Sequence, residues 1–293
     1  MNGSRRVILA VLLLAAVSGV GGEPLSVVVS VVPQLESVRR IGADLVQVEA
    51  LVPAGASPET YVMNARRMAM LSRSSVLFRI GAPMEQALLP KLSRTQPDLD
   101  VIDTRKGMRL LTMAATGHVH GHVHGHDGHG HGEEEMDPHV WLSPANMTAH
   151  ARTVGAVLAE RLPEHAADIR ERTERYVRDL GELDGRLRTR LRPLAGSAIV
   201  VFHPAFGYFL EAYGIAQIAV EVGGRTPSGR QLGQVLSQAR RAGVRAVYVQ
   251  PQFNRKAAQA VADELQCPLR VLDPLPEAYL SGLEAMGEAL LRP

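Results

Sequence analysis

The sequence predicts an α/β protein of two lobes, each a mostly parallel sheet flanked by helices. One long helix joins the lobes, and a cleft lies between them. Three observations carry this. Apolar, β-branched runs alternate with amphipathic stretches over 26–104 and again over 197–291. A sustained helical pattern separates the two regions. The chain has 293 residues, 46% of them hydrophobic, enough to bury a substantial core.

The elements follow in order. Arg5 and Arg6 precede the apolar run VILAVLLLAAV, and the small residues SGVGG follow it. This reads as a secretory signal peptide over 1–22, cut between Ser18 and Glu23. The run is shorter than the roughly 20 apolar residues of a spanning helix. The single cysteine, Cys267, is far from this exit, so no N-terminal lipid acceptor and no intrachain disulfide is expected. The expected location is the periplasm, in soluble form.

The run SVVVSVV (Ser26–Val32) suits a strand buried on both faces. PQLESVRRIG (Pro33–Gly42) is a helix opened by proline and closed by glycine. Further strands are read at 45–52, 75–82 and 100–104, with helices at 64–72 and 83–93. The segment Gly117–Glu135 holds seven of the eleven histidines, no hydrophobic periodicity and much glycine, so it reads as a mobile loop. Helical patterns run over Pro144–Glu160 and Glu164–Arg192, separated by Pro163. In the second, Ile169, Tyr176, Leu180, Leu183, Leu187 and Leu191 share one face. It would be on the order of 40 Å long. Strands then fall at 197–203, 215–222, 244–250 and 268–273, and helices at 204–214, 228–243, 254–266 and 278–291. The expected division is a signal peptide at 1–22, a first lobe at 24–144, a helical segment with the connecting helix at 145–193, and a second lobe at 194–293.

Four residues fall where loops at the carboxyl ends of strands would line the cleft. Glu59 lies in GASPETY, His139 in DPHVWLSP, His203 at the end of SAIVVFH, and Asp273 at the end of PLRVLD. Two imidazoles and two carboxylates together make a tetrahedral N/O set suited to zinc, with manganese or iron as alternatives. Each also has a plain structural reading. Asp before Pro initiates turns, His before Pro can cap a helix, and an exposed loop Glu is often only solvated. His150 and His165 lie in helical patterns outside any ligand motif and read as ordinary surface histidines. A net charge of +2 gives no field that would recruit nucleic acid.

Taken in order, IGADLVQVEALVPAGASPETY, the His-rich loop before DPHVWLSP, VVFHPAFGYFLEAYGI, and VYVQPQFN followed by VLDPL resemble one family. It is the zinc/manganese solute-binding proteins of bacterial ABC importers, the ZnuA/TroA-like group. The resemblance covers nearly the whole mature chain. It implies two lobes bridged by a rigid helix with a divalent metal between them. It implies the metal ligands Glu59, His139, His203 and Asp273. The family usually has histidine where Glu59 stands, and a carboxylate there hardens the site.

The implied function is capture of Zn2+ (alternatively Mn2+ or Fe2+) and delivery to an ABC permease with a cytoplasmic ATPase. The protein would be a monomer and not an enzyme. His118, His120, His122, His124, His126, His129 and His131 would form a weak accessory collector near the cleft. A stand-alone metal buffer is the closest alternative. A secreted zinc hydrolase is a more distant one, since the chain has no HExxH and no nucleophile turn.

Overall fold

The computed structural model describes residues 23–113, 136–221 and 227–292. The signal-peptide reading at 1–22 and the seven loop histidines lie outside the described residues.

The first sheet has the order β2-β1-β3-β4 and is parallel throughout. Its strands are β1 (Leu25–Val29), β2 (Val46–Ala50), β3 (Val76–Arg79) and β4 (Asp100–Asp103). Helices α1 (Leu35–Gly42), α2 (Ala65–Leu71) and α3 (Met84–Thr95) connect them. Asn64 caps α2 by accepting from the Arg67 N–H at 3.0 Å. Gly42 is required by close packing: a Cβ there would meet Val46 at 2.3 Å. The chain then turns through Ala43, at φ 51°.

The second sheet repeats the plan, with parallel order β6-β5-β7-β8. Its strands are β5 (Ala198–Val201), β6 (Ala216–Ala219), β7 (Val247–Val249) and β8 (Leu269–Val271). Ile199 and Val201 point into one hydrophobic core and Val200 and Phe202 into another, so β5 is buried on both faces. Ser228 and Gln231 form a capping box that starts α7 (Gly229–Arg241), and Gly243, at φ 63°, follows its end. Helix α8 (Arg255–Leu265) precedes β8.

Helix α4 (Pro144–Arg161) and the 26-residue α5 (Ala166–Leu191) lie between the sheets in sequence. All six apolar residues of the predicted α5 face are buried. Its early turns pack on α4 and α1, and its late turns on the C-terminal helix α9 (Tyr279–Leu291). One core cluster therefore runs from β1 through α5 to Tyr279 and Leu283. Hydrogen bonds also join the halves. Trp141 Nε1 donates to the Pro274 carbonyl, and the Tyr279 hydroxyl donates to the Trp141 carbonyl, both at 2.7 Å.

Two expectations need correcting. The helix expected over 204–214 is only α6 (Gly207–Ala212). Residues 203–206 form a turn instead, in which Ala205 N–H donates to the His203 carbonyl and Phe206 N–H to the Gln217 side chain. His150 is not a surface residue but fully buried. Its Nε2 lies 2.8 Å from Ser37 Oγ, which spends its own proton on the Gln34 carbonyl. His150 therefore donates through Nε2. Burial holds it neutral, with its pKa lowered to about 3. Helix α4 packs on α1 and α5, which covers the face that carries it. His165 is exposed, as expected.

Candidate metal centre

Three of the four candidate residues converge. Glu59 follows β2, in a loop where Ser57 receives its backbone N–H at 3.3 Å. His139 sits just before the one-turn helix Val140–Leu142 that leads into α4. His203 lies two residues beyond β5. Its backbone is clamped by the buried Gln250 side chain, which donates to the His203 carbonyl at 2.6 Å and accepts from its N–H at 3.4 Å. Phe253 stacks on the His203 ring, with centroids 4.7 Å apart.

Glu59 Oε1 lies 3.1 Å from His203 Nε2 and 3.5 Å from His139 Nε2. The three donor atoms all fall within 4.8 Å of one another. A tetrahedral ion bound at about 2.0–2.1 Å separates neighbouring donors by about 3.3 Å. The two spacings from Glu59 bracket that edge, so its carboxylate stands at a ligand's distance from both imidazoles. The far ring nitrogens are occupied: His139 Nδ1 is 2.8 Å from Asp137 Oδ1, and His203 Nδ1 is 2.8 Å from Glu221 Oε2.

The electrostatics are those of a crowded carboxylate–imidazole site. Burial works against a charged His203. Its hydrogen bonds to Glu221 and Glu59, and their charges, more than offset it and raise its pKa to about 9. Both histidine side chains are almost wholly buried, while Glu59 keeps partial access to solvent at the open side.

Asp273 is not part of the cluster. Its carboxylate is exposed, and Oδ1 accepts from the Leu275 N–H at 3.0 Å and the Gln252 amide at 3.3 Å. The topology explains the separation. Asp273 follows the edge strand β8, and β7 stands between β8 and β5. Two strand spacings are about 9.5 Å. In this position Asp273 does what Asp before Pro commonly does, initiating a turn.

Asp137, Glu221 and Gln250 carry no role in the reading of the sequence. Asp137 had a local signal, two residues before His139. Glu221 had none in sequence, because only the pairing of β5 with β6 brings it to His203. Val201 pairs with Ala219, and two residues further on His203 stands beside Glu221.

The family model "Zinc-uptake complex component A periplasmic" matches residues 27–291. The high-affinity zinc uptake system protein ZnuA of Yersinia pestis is 27% identical over 268 residues, covering 85% of this chain and 83% of that protein. The zinc-binding lipoprotein AdcA of Streptococcus pneumoniae is 26% identical over 285 residues. That match covers 91% of this chain, which spans only 55% of the AdcA length. A ZnuA crystal structure superposes with a TM-score of 0.80 at 30% identity, covering 90% of this chain and 97% of that one. A zinc-bound ZnuA deletion mutant also gives 0.80 at 30% identity, covering 92% of this chain and 100% of that one. These relatives are metal-binding transport proteins rather than enzymes. The match of the family model across nearly the whole described chain, on a fold of the same architecture, shows that this chain belongs to the zinc-uptake complex component A periplasmic family.

Proposed function

We propose that this chain captures Zn2+ in the periplasm and delivers it to an ABC permease driven by a cytoplasmic ATPase. The observation that carries this is the convergence of His139 Nε2, His203 Nε2 and the Glu59 carboxylate within 4.8 Å. Two imidazoles make the site borderline in hardness and favour zinc over Mn2+ or Fe2+, which the carboxylate also accommodates. Asp273 is the fourth ligand in this reading, which requires its carboxylate to leave the Leu275 N–H and its turn to move toward the cluster when metal binds. Relatives support the cargo: a Yersinia zinc uptake protein and a zinc-bound ZnuA mutant. The protein works as a soluble monomer, and the His-rich segment at 117–135 gathers metal near the cleft.

The test is zinc and manganese affinity of His139→Ala and His203→Ala against the wild-type chain. Removing one of the imidazoles should weaken the one-to-one zinc complex by at least about 100-fold. Unchanged tight binding in both variants would sink the assignment. Delivery is read separately, as zinc-dependent stimulation of the cognate permease–ATPase in vesicles. No stimulation beside intact zinc binding would leave a stand-alone buffer as the better account.

A further inference from the structure

The two imidazoles face Glu59 because their far sides are held. Asp137 is fully buried, and its Oδ1 accepts from both the backbone N–H of His139, at 2.9 Å, and its Nδ1, at 2.8 Å. Its second oxygen, Oδ2, is buried with no hydrogen-bond partner. A buried carboxylate with one bare oxygen carries a desolvation cost. The groups that its side chain serves belong to His139. Glu221 is the counterpart on the second sheet. It sits just past β6, nearly buried, with Oε2 2.8 Å from His203 Nδ1. Two imidazoles from unrelated parts of the chain thus meet the same arrangement, a carboxylate on Nδ1 and Glu59 on Nε2.

We propose that Asp137 and Glu221 are positioning residues for metal capture. Each takes the Nδ1–H of one imidazole and fixes its tautomer and ring plane. Each so reserves Nε2, beside Glu59, as the nitrogen that takes the cation once any proton there is displaced. The inference rests on the reading of this cluster as the metal site. A neutral imidazole carries one N–H and one lone pair, so committing the proton to Nδ1 leaves Nε2 as the donor to the cation. A carboxylate partner also raises the basicity of the ligating nitrogen, which a backbone carbonyl does less well. Without these partners each ring could flip or take the other tautomer, and each such state must be undone before metal binds.

The experiment uses the full chain and four variants: Glu221→Leu, Glu221→Gln, Asp137→Asn and His203→Ala. Zinc affinity is measured by chelator competition, cobalt(II) absorption reports ligand geometry, and melting of the metal-free protein reports folding. Glu221→Leu should weaken zinc by about 10- to 100-fold and shift the cobalt bands, with little change in melting. Glu221→Gln keeps an acceptor for Nδ1–H and should restore the cobalt spectrum and part of the affinity. Asp137→Asn should weaken zinc by about tenfold. Zinc affinity within twofold of wild type in both Glu221→Leu and Asp137→Asn would overturn the proposal. A loss that only follows melting, with cobalt bands unchanged, would overturn it too. His203→Ala separates the two levels. If it also binds zinc tightly, the metal site itself fails; if it loses zinc while Glu221→Leu does not, only the positioning role fails.

Discussion

His203 is the residue where proton and metal compete most directly. Its pKa of about 9 means that the metal-free site holds a proton on this ring at neutral pH. A cation must displace that proton before Nε2 can bind it. Zinc binding at pH 7.5 should therefore release about one proton from His203, measured calorimetrically in buffers of different ionisation enthalpy. Zinc affinity should fall about tenfold per pH unit below pH 9 until other groups join. The sign for folding is the reverse. The folded pKa lies above the ordinary 6.5, so protonated His203 stabilises the metal-free fold fully below pH 6.5, and that support is lost as pH rises through about 9. At this scale the sequence was informative about some placements and blind to others. Glu59, His139 and His203 stood out because each sits in a loop where the fold converges. Asp273 occupied an equally suggestive strand end, yet its carboxylate folds back on the Leu275 N–H. Nothing in the one-dimensional pattern says whether a strand-end carboxylate joins the cluster or folds onto its own turn.

Among the elements, the packing of α4 against α5 is the tightest constraint on the frame. Gly155 of α4 faces Thr173 of α5 so closely that a Cβ would lie 2.1 Å from Thr173 Oγ1 and 3.0 Å from its Cβ. Gly287 of α9 faces the tips of Leu187 and Leu191, whose Cδ2 and Cδ1 would be 2.6 and 3.9 Å away. A short branched side chain cannot swing clear, whereas the end of a leucine can. Gly155→Ala should destabilise the fold by about 1–3 kcal/mol, and Gly287→Ala by less, as read from urea unfolding midpoints. Most elements were legible from periodicity because both sheets are parallel and their central strands, β1 and β5, are largely buried, leaving continuous β-branched runs such as SVVVSVV. The boundaries were less so. Proline at 204 suggested a helix start, but Phe206 is tied to the Gln217 side chain of the neighbouring strand, and the helix waits until Gly207. A tertiary bond overrode a local signal. The partnership of Glu221 with His203 was hidden for a related reason, since it exists only in the register of β5 with β6.

On the scale of the whole molecule, the two halves are joined by more than a tether. Helix α5 packs on both, and the Trp141–Pro274 and Tyr279–Trp141 hydrogen bonds cross between them. Arg109 pairs with Glu211 and Arg39 with Glu277 across the same divide. Exposed pairs of this kind contribute little each, but the buried bonds and the shared core resist hinge opening. Solution scattering should show a radius of gyration that changes by less than about 1 Å between metal-free and zinc-loaded protein. A larger expansion on metal removal would contradict a rigid frame. The two-lobe plan was legible from the repeated alternation, but the continuity of one core from β1 to α9 was not, because periodicity says which face is buried and not against what.

Trp141 gives this seam an optical property. It is the chain's one tryptophan, wholly buried, with its ring 5.3 Å from that of His139 and its indole N–H bound to the Pro274 carbonyl. All indole emission therefore arises at one point, between the cation site and the junction of the halves. The unlabelled protein carries its own spectroscopic probe, placed where filling of the cleft and loosening of the frame would both be felt.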